Sequence, residues 1–97
     1  MTDKRILGIG VISLGWMGRL HARSYRAIAE RFPELGVAPH LVAAADPVDQ
    51  VRQEAVDNLG FERAYADYHD LLADPEVEAV SICAPNFLHH EMALAAV

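Results

Sequence analysis

Six residues near the start of the chain, Ser13-Leu14-Gly15-Trp16-Met17-Gly18, have types and spacing suited to holding an anion. They match the pattern G-x-G-x-x-G at its second and third glycines and carry Ser at the first. In that pattern the first Gly makes a tight turn, the second lets backbone approach a pyrophosphate, and the third lets a helix pack closely on a strand. Gly15 and Gly18 retain the last two roles. A helix opening near Trp16 would aim its free amides and the positive end of its dipole at a phosphate, with no basic side chain required. The same glycines would also serve a plain strand-to-helix turn, so it is their placement between strand and helix that favours phosphate. Ser13 is the weak position. If it needs positive φ, a side chain there costs on the order of 1 kcal/mol or more, although its hydroxyl could instead donate to a phosphate oxygen. Gly8 and Gly10 offer a second register, but they lie inside the strand and would put Ser13 at the third glycine.

A carboxylate, Asp46, closes the second apolar run. From that position it can accept hydrogen bonds from both hydroxyls of an adenosine ribose and would repel a 2′-phosphate, which favours NAD over NADP. Asp46-Pro47 is equally a good helix N-cap pair, with Pro in the first turn. Arg19 is placed to help a phosphate, yet Arg19, Arg23 and Arg26 together read as a solvated helical face.

Other constellations are weaker. His89-His90-Glu91 puts two adjacent histidines about 100° apart on a helix, and no second cluster adds metal ligands. His89 and Glu91 form H-x-E without the P-C-x-x-C that a zinc deaminase needs. Val11-Ile12-Ser13-Leu14-Gly15 imitates the G-x-S-x-G elbow of serine hydrolases, but Val11 stands where a small residue is required. His21, His40 and His69 read as packing or surface residues, Cys83 as a small buried hydrophobe within a strand, and Trp16 and Met17 as turn and core residues that also touch a ligand.

The elements that position these residues alternate. Ile6 to Ile12 is a short apolar run suited to a strand buried on both faces. Trp16 to about Arg31 follows as an amphipathic helix with Met17, Leu20, Ser24, Ala27 and Ile28 on one face, stopped by Phe32-Pro33 and Gly36. His40 to Ala45 is a second strand. The next helix begins at Asp46-Pro47, carries Val48, Val51, Ala55 and Leu59 at helical spacing, and ends near Leu59, with Gly60 as a left-handed cap. Phe61 to Tyr65 reads as a short third strand, Tyr68 to Leu72 as one helical turn, Val77 to Ala84 as a fourth strand, and Leu88 onward as a helix with Leu88, Met92 and Ala95 on its apolar side. Such alternation with short connections predicts an α/β, Rossmann-type doubly wound parallel sheet of about four strands in the order 3-2-1-4.

The 97 residues, 53% hydrophobic and 23% charged, suffice for one domain or less and exclude disordered and collagen-like classes. A net charge of −6 argues against nucleic acid as a partner. A single cysteine forms no internal disulfide, no apolar stretch approaches the roughly 20 residues that span a bilayer, and the polar opening from Met1 to Arg5 does not resemble a secretory signal. A cytoplasmic location is the expectation. The last helix pattern runs into Val97 without a stop signal, so the sheet is expected to be incomplete, with an exposed edge prone to self-association.

Four blocks together carry a resemblance: Val11 to His21, Ala44 to Pro47, Tyr68 to Leu72, and Glu78 to His89. Their order and spacing, from about Ile6 to Val97, resemble the N-terminal domain of the Gfo/Idh/MocA oxidoreductases. The resemblance implies a nicotinamide-dependent enzyme acting on sugars, cyclitols or related hydroxy compounds by hydride transfer. It places Ser13, Leu14, Gly15, Trp16, Met17 and Gly18 on the cofactor turn, Asp46 on the ribose, and Ala84, Pro85, Asn86 and His89 along the nicotinamide half. Ser13 and His90 depart from the family pattern. The family's Glu-Lys-Pro block, with its catalytic lysine, and its C-terminal substrate domain have no counterpart in residues 1–97. The chain alone is therefore expected to be inactive. A noncatalytic nucleotide-binding module and an inactive gene fragment are the alternatives.

Overall fold

The computed structural model describes residues 5–97; the first four residues of the polar opening lie outside the described residues. Eight elements alternate along the chain: β1 (Arg5–Ile12), α1 (Trp16–Arg31), β2 (Val37–Ala45), α2 (Asp49–Asp57), β3 (Arg63–Tyr65), α3 (Tyr68–Leu72), β4 (Ala79–Ile82) and α4 (Asn86–Ala96). The four strands form one parallel sheet in the order β3-β2-β1-β4, as the alternation predicts.

Helices cover both faces. Ile9, Val11, Leu41 and Ala44 pack with Ala22 of α1 and Ala55 of α2, and Ile12, Val42, Ala43 and Ala45 pack with Leu71 of α3 and Met92 of α4. Strand β2 carries an extra residue, because the pairing shifts from Ile9↔Leu41 to Gly10↔Ala43. Val42 and Ala43 therefore lie consecutively in the same cluster, and the alternation of faces is reset for the residues that follow. Gly10 in β1 leaves room for α3: a Cβ there would come within 2.9 Å of both Leu71 Cδ2 and Val77 Cγ1.

The inward face of α1 differs from the apolar stripe read in the sequence. Gly18, Ala22 and Tyr25 face the sheet, whereas Met17, Leu20 and Ser24 are exposed and Ala27 and Ile28 only half-buried. Close approach is the reason. A Cβ on Gly18 would lie 2.1 Å from the Ser13 carbonyl oxygen, so the helix backbone rests almost on the turn, and only small residues fit the contact. Tyr25 then reaches past them to hydrogen-bond Ser81 in β4 at 2.7 Å.

Several boundaries move as well: β2 begins at Val37 rather than His40, and α4 at Asn86 rather than Leu88. Strand β4 is shorter than Val77 to Ala84, and Cys83 lies beyond it, half-buried, with burial raising its thiol pKa. Strand β3 begins at Arg63. Helix α2 starts at Asp49, with Val48 as its N-cap, and ends at Asp57. Gly60 just beyond has φ +90°, the left-handed turn that its position predicts. On the far side of the sheet, the buried Asp74 carboxylate accepts from the Glu76 N–H, Arg63 Nε and Tyr65 OH at 2.8–2.9 Å. These contacts tie β3 to the loop before β4, and the Glu76 N–H, first among them, holds the carboxyl of Asp74 below its ordinary pKa.

Candidate functional site

The carboxyl ends of the parallel strands β1, β2 and β4 lie at one edge of the sheet, and the strand order reverses between β1 and β4, which opens a crevice there, as doubly wound sheets do at a switch point. After β1, Ser13 takes φ +76°, and its N–H donates to the Ala45 carbonyl at 2.7 Å. This is the left-handed conformation that the pattern reserves for glycine, so Ser13 is strained by about 1 kcal/mol. We expect Ser13→Gly to raise stability by about 1 kcal/mol, read as a higher urea midpoint. An unchanged or lower midpoint would show that the Ser13 hydroxyl compensates the strain.

Gly15 caps α1 with φ −70° and no side chain caps the helix, so the N–H groups of its first turn are left for an external acceptor. A Cβ built on Gly15 meets nothing within 4 Å. Gly15 thus opens space on the ligand side of the turn, while Gly18 closes space on the sheet side. Leu14, between Ser13 and Gly15, is buried in the core, so it contributes its backbone alone. Trp16 and Met17 depart from their reading as core residues: Trp16 is 76% exposed, and Met17 is exposed beside it. They stand at the mouth of the turn because Gly18 and Ala22 have taken the positions against the sheet.

Asp46 is buried at the end of β2. It is not the cap of α2. Its Oδ1 accepts from the Val48 N–H at 2.9 Å and its Oδ2 from the Leu14 N–H at 3.0 Å, so the carboxylate is bonded directly to the glycine turn. Each oxygen keeps a second lone pair for a ribose hydroxyl. Arg52 donates to the Asp46 carbonyl at 2.9 Å and pairs with Asp49, which holds this corner from behind.

After β4, Ala84 is buried, and Pro85 precedes α4 as its N-cap. His89 Nε2 donates to the Ala84 carbonyl at 2.6 Å. That contact requires a proton on Nε2 and fastens the β4–α4 turn to the helix. Asn86 opens α4 and is exposed, as is Phe87.

A cleft of about 250 Å³ lies between these strand ends. Of the predicted residues it brings together Ser13, Asp46, Ala84 and Pro85; Leu14, Gly15, Trp16, Met17, Gly18, Asn86 and His89 do not line it. Sequence reasoning did not assign Pro47, Tyr68, Leu88 or Met92 to the site, yet all four line it. Tyr68 bridges α3 to α4 through Glu91 at 3.3 Å. Only the helical spacing of Leu88 and Met92 hinted at that wall, and it pointed to core rather than cleft. A larger depression of about 530 Å³ on the outer side of α1, among Arg23, Ile28, Arg31 and Phe32, lies away from the strand ends and from Asp46. Among the described residues, Ser13 Oγ has no hydrogen-bonded histidine or carboxylate to activate it as a nucleophile, and no three His, Cys, Asp or Glu side chains group as a metal site. No described helix is long and apolar enough to cross a membrane.

The crevice, the uncapped helix start and the carboxylate beside it have the chemistry to hold a dinucleotide. Residues 7–97 match the Gfo/Idh/MocA family, described as "Oxidoreductase family, NAD-binding Rossmann fold". The chain belongs to this family. It is 36% identical over 87 residues to myo-inositol 2-dehydrogenase of Thermotoga maritima, covering 90% of this chain and 24% of that protein. An NAD-binding oxidoreductase from Klebsiella pneumoniae superposes with a TM-score of 0.86 at 44% identity, covering 93% of this chain and 24% of that one. Levoglucosan dehydrogenase in complex with NADH superposes at 0.89 with 33% identity, covering 95% of this chain and 25% of that one. The chain thus corresponds to the NAD-binding Rossmann unit of Gfo/Idh/MocA oxidoreductases and spans about a quarter of the length of these relatives.

Proposed function

We propose that residues 1–97 form the coenzyme-binding part of a Gfo/Idh/MocA oxidoreductase that exchanges hydride with a sugar, cyclitol or related hydroxy compound. Substrate walls and the catalytic lysine would come from a further domain. NAD rather than NADP is the coenzyme. The observation that carries this reading is the contact between Asp46 and the Leu14 N–H, 3.0 Å long, which puts a buried carboxylate beside the free amides of α1. Two ribose hydroxyls can donate to that carboxylate, whereas a 2′-phosphate would meet its charge. In this reading the first-turn amides, with Ser13 to Gly18, take the diphosphate, and Ala84, Pro85, Asn86 and His89 border the nicotinamide half. The coenzyme would supply hydride chemistry; the chain binds, orients and partly shields it.

The chain binds coenzyme without turning it over, because no acid, base or substrate wall in the described cleft completes the reaction. It works in a reducing cytoplasm, consistent with its lone thiol, and associates with itself through the open β4 edge at high concentration. Titration of the chain with NADH and NADPH, followed by coenzyme fluorescence, tests the assignment. Saturable enhancement with NADH, weaker with NADPH, is the expected result. No saturable change, or tighter binding of NADPH, would overturn it.

A further inference from the structure

Arg19 belongs to the first turn of α1, but it is not a solvated helical charge. Its Nε donates to the Leu14 carbonyl at 3.2 Å, and its guanidinium grips both oxygens of Glu54 in α2 at 2.5 and 2.9 Å. The side chains of Arg19 and Glu54 are about one-third exposed, and this hydrogen bond holds the Glu54 carboxyl below its ordinary pKa. The other side of the Leu14 residue is fixed too, since its N–H donates to Asp46. Leu14 is thus held at both backbone polar groups by side chains from the β2–α2 unit or anchored to it.

The consequence lies in the next peptide. The Leu14–Gly15 bond is trans, as no cis bond occurs among the described residues, and in a trans peptide C=O and N–H point in opposite directions. Fixing the Leu14 carbonyl toward Arg19 therefore fixes the Gly15 N–H away from it. Among the described residues that N–H has no acceptor. A guanidinium committed to Glu54 by two parallel hydrogen bonds has a geometry suited to a strut more than to a free phosphate clamp.

We propose that Arg19, anchored by Glu54, is a positioning residue that orients the Leu14–Gly15 peptide so that the Gly15 N–H is presented to the coenzyme diphosphate. The inference rests on the dinucleotide reading above. It adds an ion pair between α1 and α2, which sequence spacing links to nothing, as the device that sets the anion turn.

The whole chain, Glu54→Ala, Glu54→Gln and Arg19→Lys are compared by NADH titration, thermal melting and the ¹⁵N–¹H resonance of Gly15. Glu54→Ala should weaken NADH roughly tenfold while leaving the melting temperature nearly unchanged, since an ion pair about one-third exposed adds little to stability. It should also move the Gly15 resonance of the unliganded chain. Glu54→Gln, whose amide oxygen still accepts from the guanidinium, should restore most of the affinity. Arg19→Lys keeps the charge but loses the fork, and should resemble Glu54→Ala; it carries the test if Glu54→Ala does not fold. Unchanged affinity in both Glu54→Ala and Arg19→Lys would overturn the proposal. So would tighter, more salt-sensitive binding in Glu54→Ala, which would mark Arg19 as a phosphate ligand that Glu54 holds back. If the unaltered chain fails to bind NADH, the dinucleotide reading has failed. The unliganded Gly15 resonance then still decides the strut: movement in Glu54→Ala supports it and constancy refutes it.

Discussion

Gly18→Ala should destabilise the domain by about 3 kcal/mol or more, at the upper end of what overpacking costs. The added Cβ would lie 2.1 Å from the Ser13 carbonyl oxygen and 3.0 Å from its carbon. These are backbone atoms and cannot rotate aside. Ser13 itself is tied to Ala45 through its N–H and already strained at φ +76°, so the turn has little freedom to yield. The helix must instead lift from the sheet, unseating Ala22 and stretching the link from Tyr25 to Ser81. A domain of this size has a net stability of roughly 5–15 kcal/mol, so the loss is a large fraction of the total. Urea unfolding followed by circular dichroism measures it. A variant as stable as the parent would mean that α1 does not rest on the turn this closely. Coenzyme affinity should fall as well, because the amides of the first turn move with the helix.

Gly15→Ala should do the reverse, weakening NADH on the order of a hundredfold with stability unchanged or slightly raised. Its backbone, at φ −70°, suits any residue, and its Cβ meets no protein atom within 4 Å. Nothing in the fold objects to the methyl group. The only thing it can obstruct is a ligand drawn against the turn, and a diphosphate that needs the Gly15 N–H must come within hydrogen-bond distance of the same atoms. Equal affinity in Gly15→Ala and the parent would place the diphosphate elsewhere. Of these two glycines three residues apart, Gly15 thus reports on binding with the fold left intact, whereas Gly18 reports first on the fold and on binding only through it.

Much of this arrangement is legible in the residues. The run from Ile6 to Ile12, the spacing from Trp16 to Arg31 and the pairing of Leu59 with Gly60 announce strand, helix and left-handed exit, and the structure has each of them. Strand order follows from alternation with short connections, since right-handed crossovers leave few arrangements. The inward side of α1 was less legible. An apolar count selects Met17, Leu20 and Ile28, whereas the sheet accepts Gly18 and Ala22, because here the distance between backbones, more than hydrophobicity, decides what fits. Arg19 departs from its sequence reading for a similar reason: its charge on a helix looks solvated until α2 brings Glu54 against it.

The strand-to-helix turn at Ser13 to Gly18 and the carboxylate of Asp46 at the end of β2 were visible in spacing alone, because the conformations and close approaches required are properties of single residues. Their direct bond, the wall of Tyr68, Leu88 and Met92, and the strut through Arg19 depended on the sheet. So did the extra residue in β2 that resets which way the chain faces before Asp46. Local preference carries information over a few residues, whereas a contact between Leu14 and Asp46 or between Arg19 and Glu54 exists only once parallel strands have brought distant segments side by side.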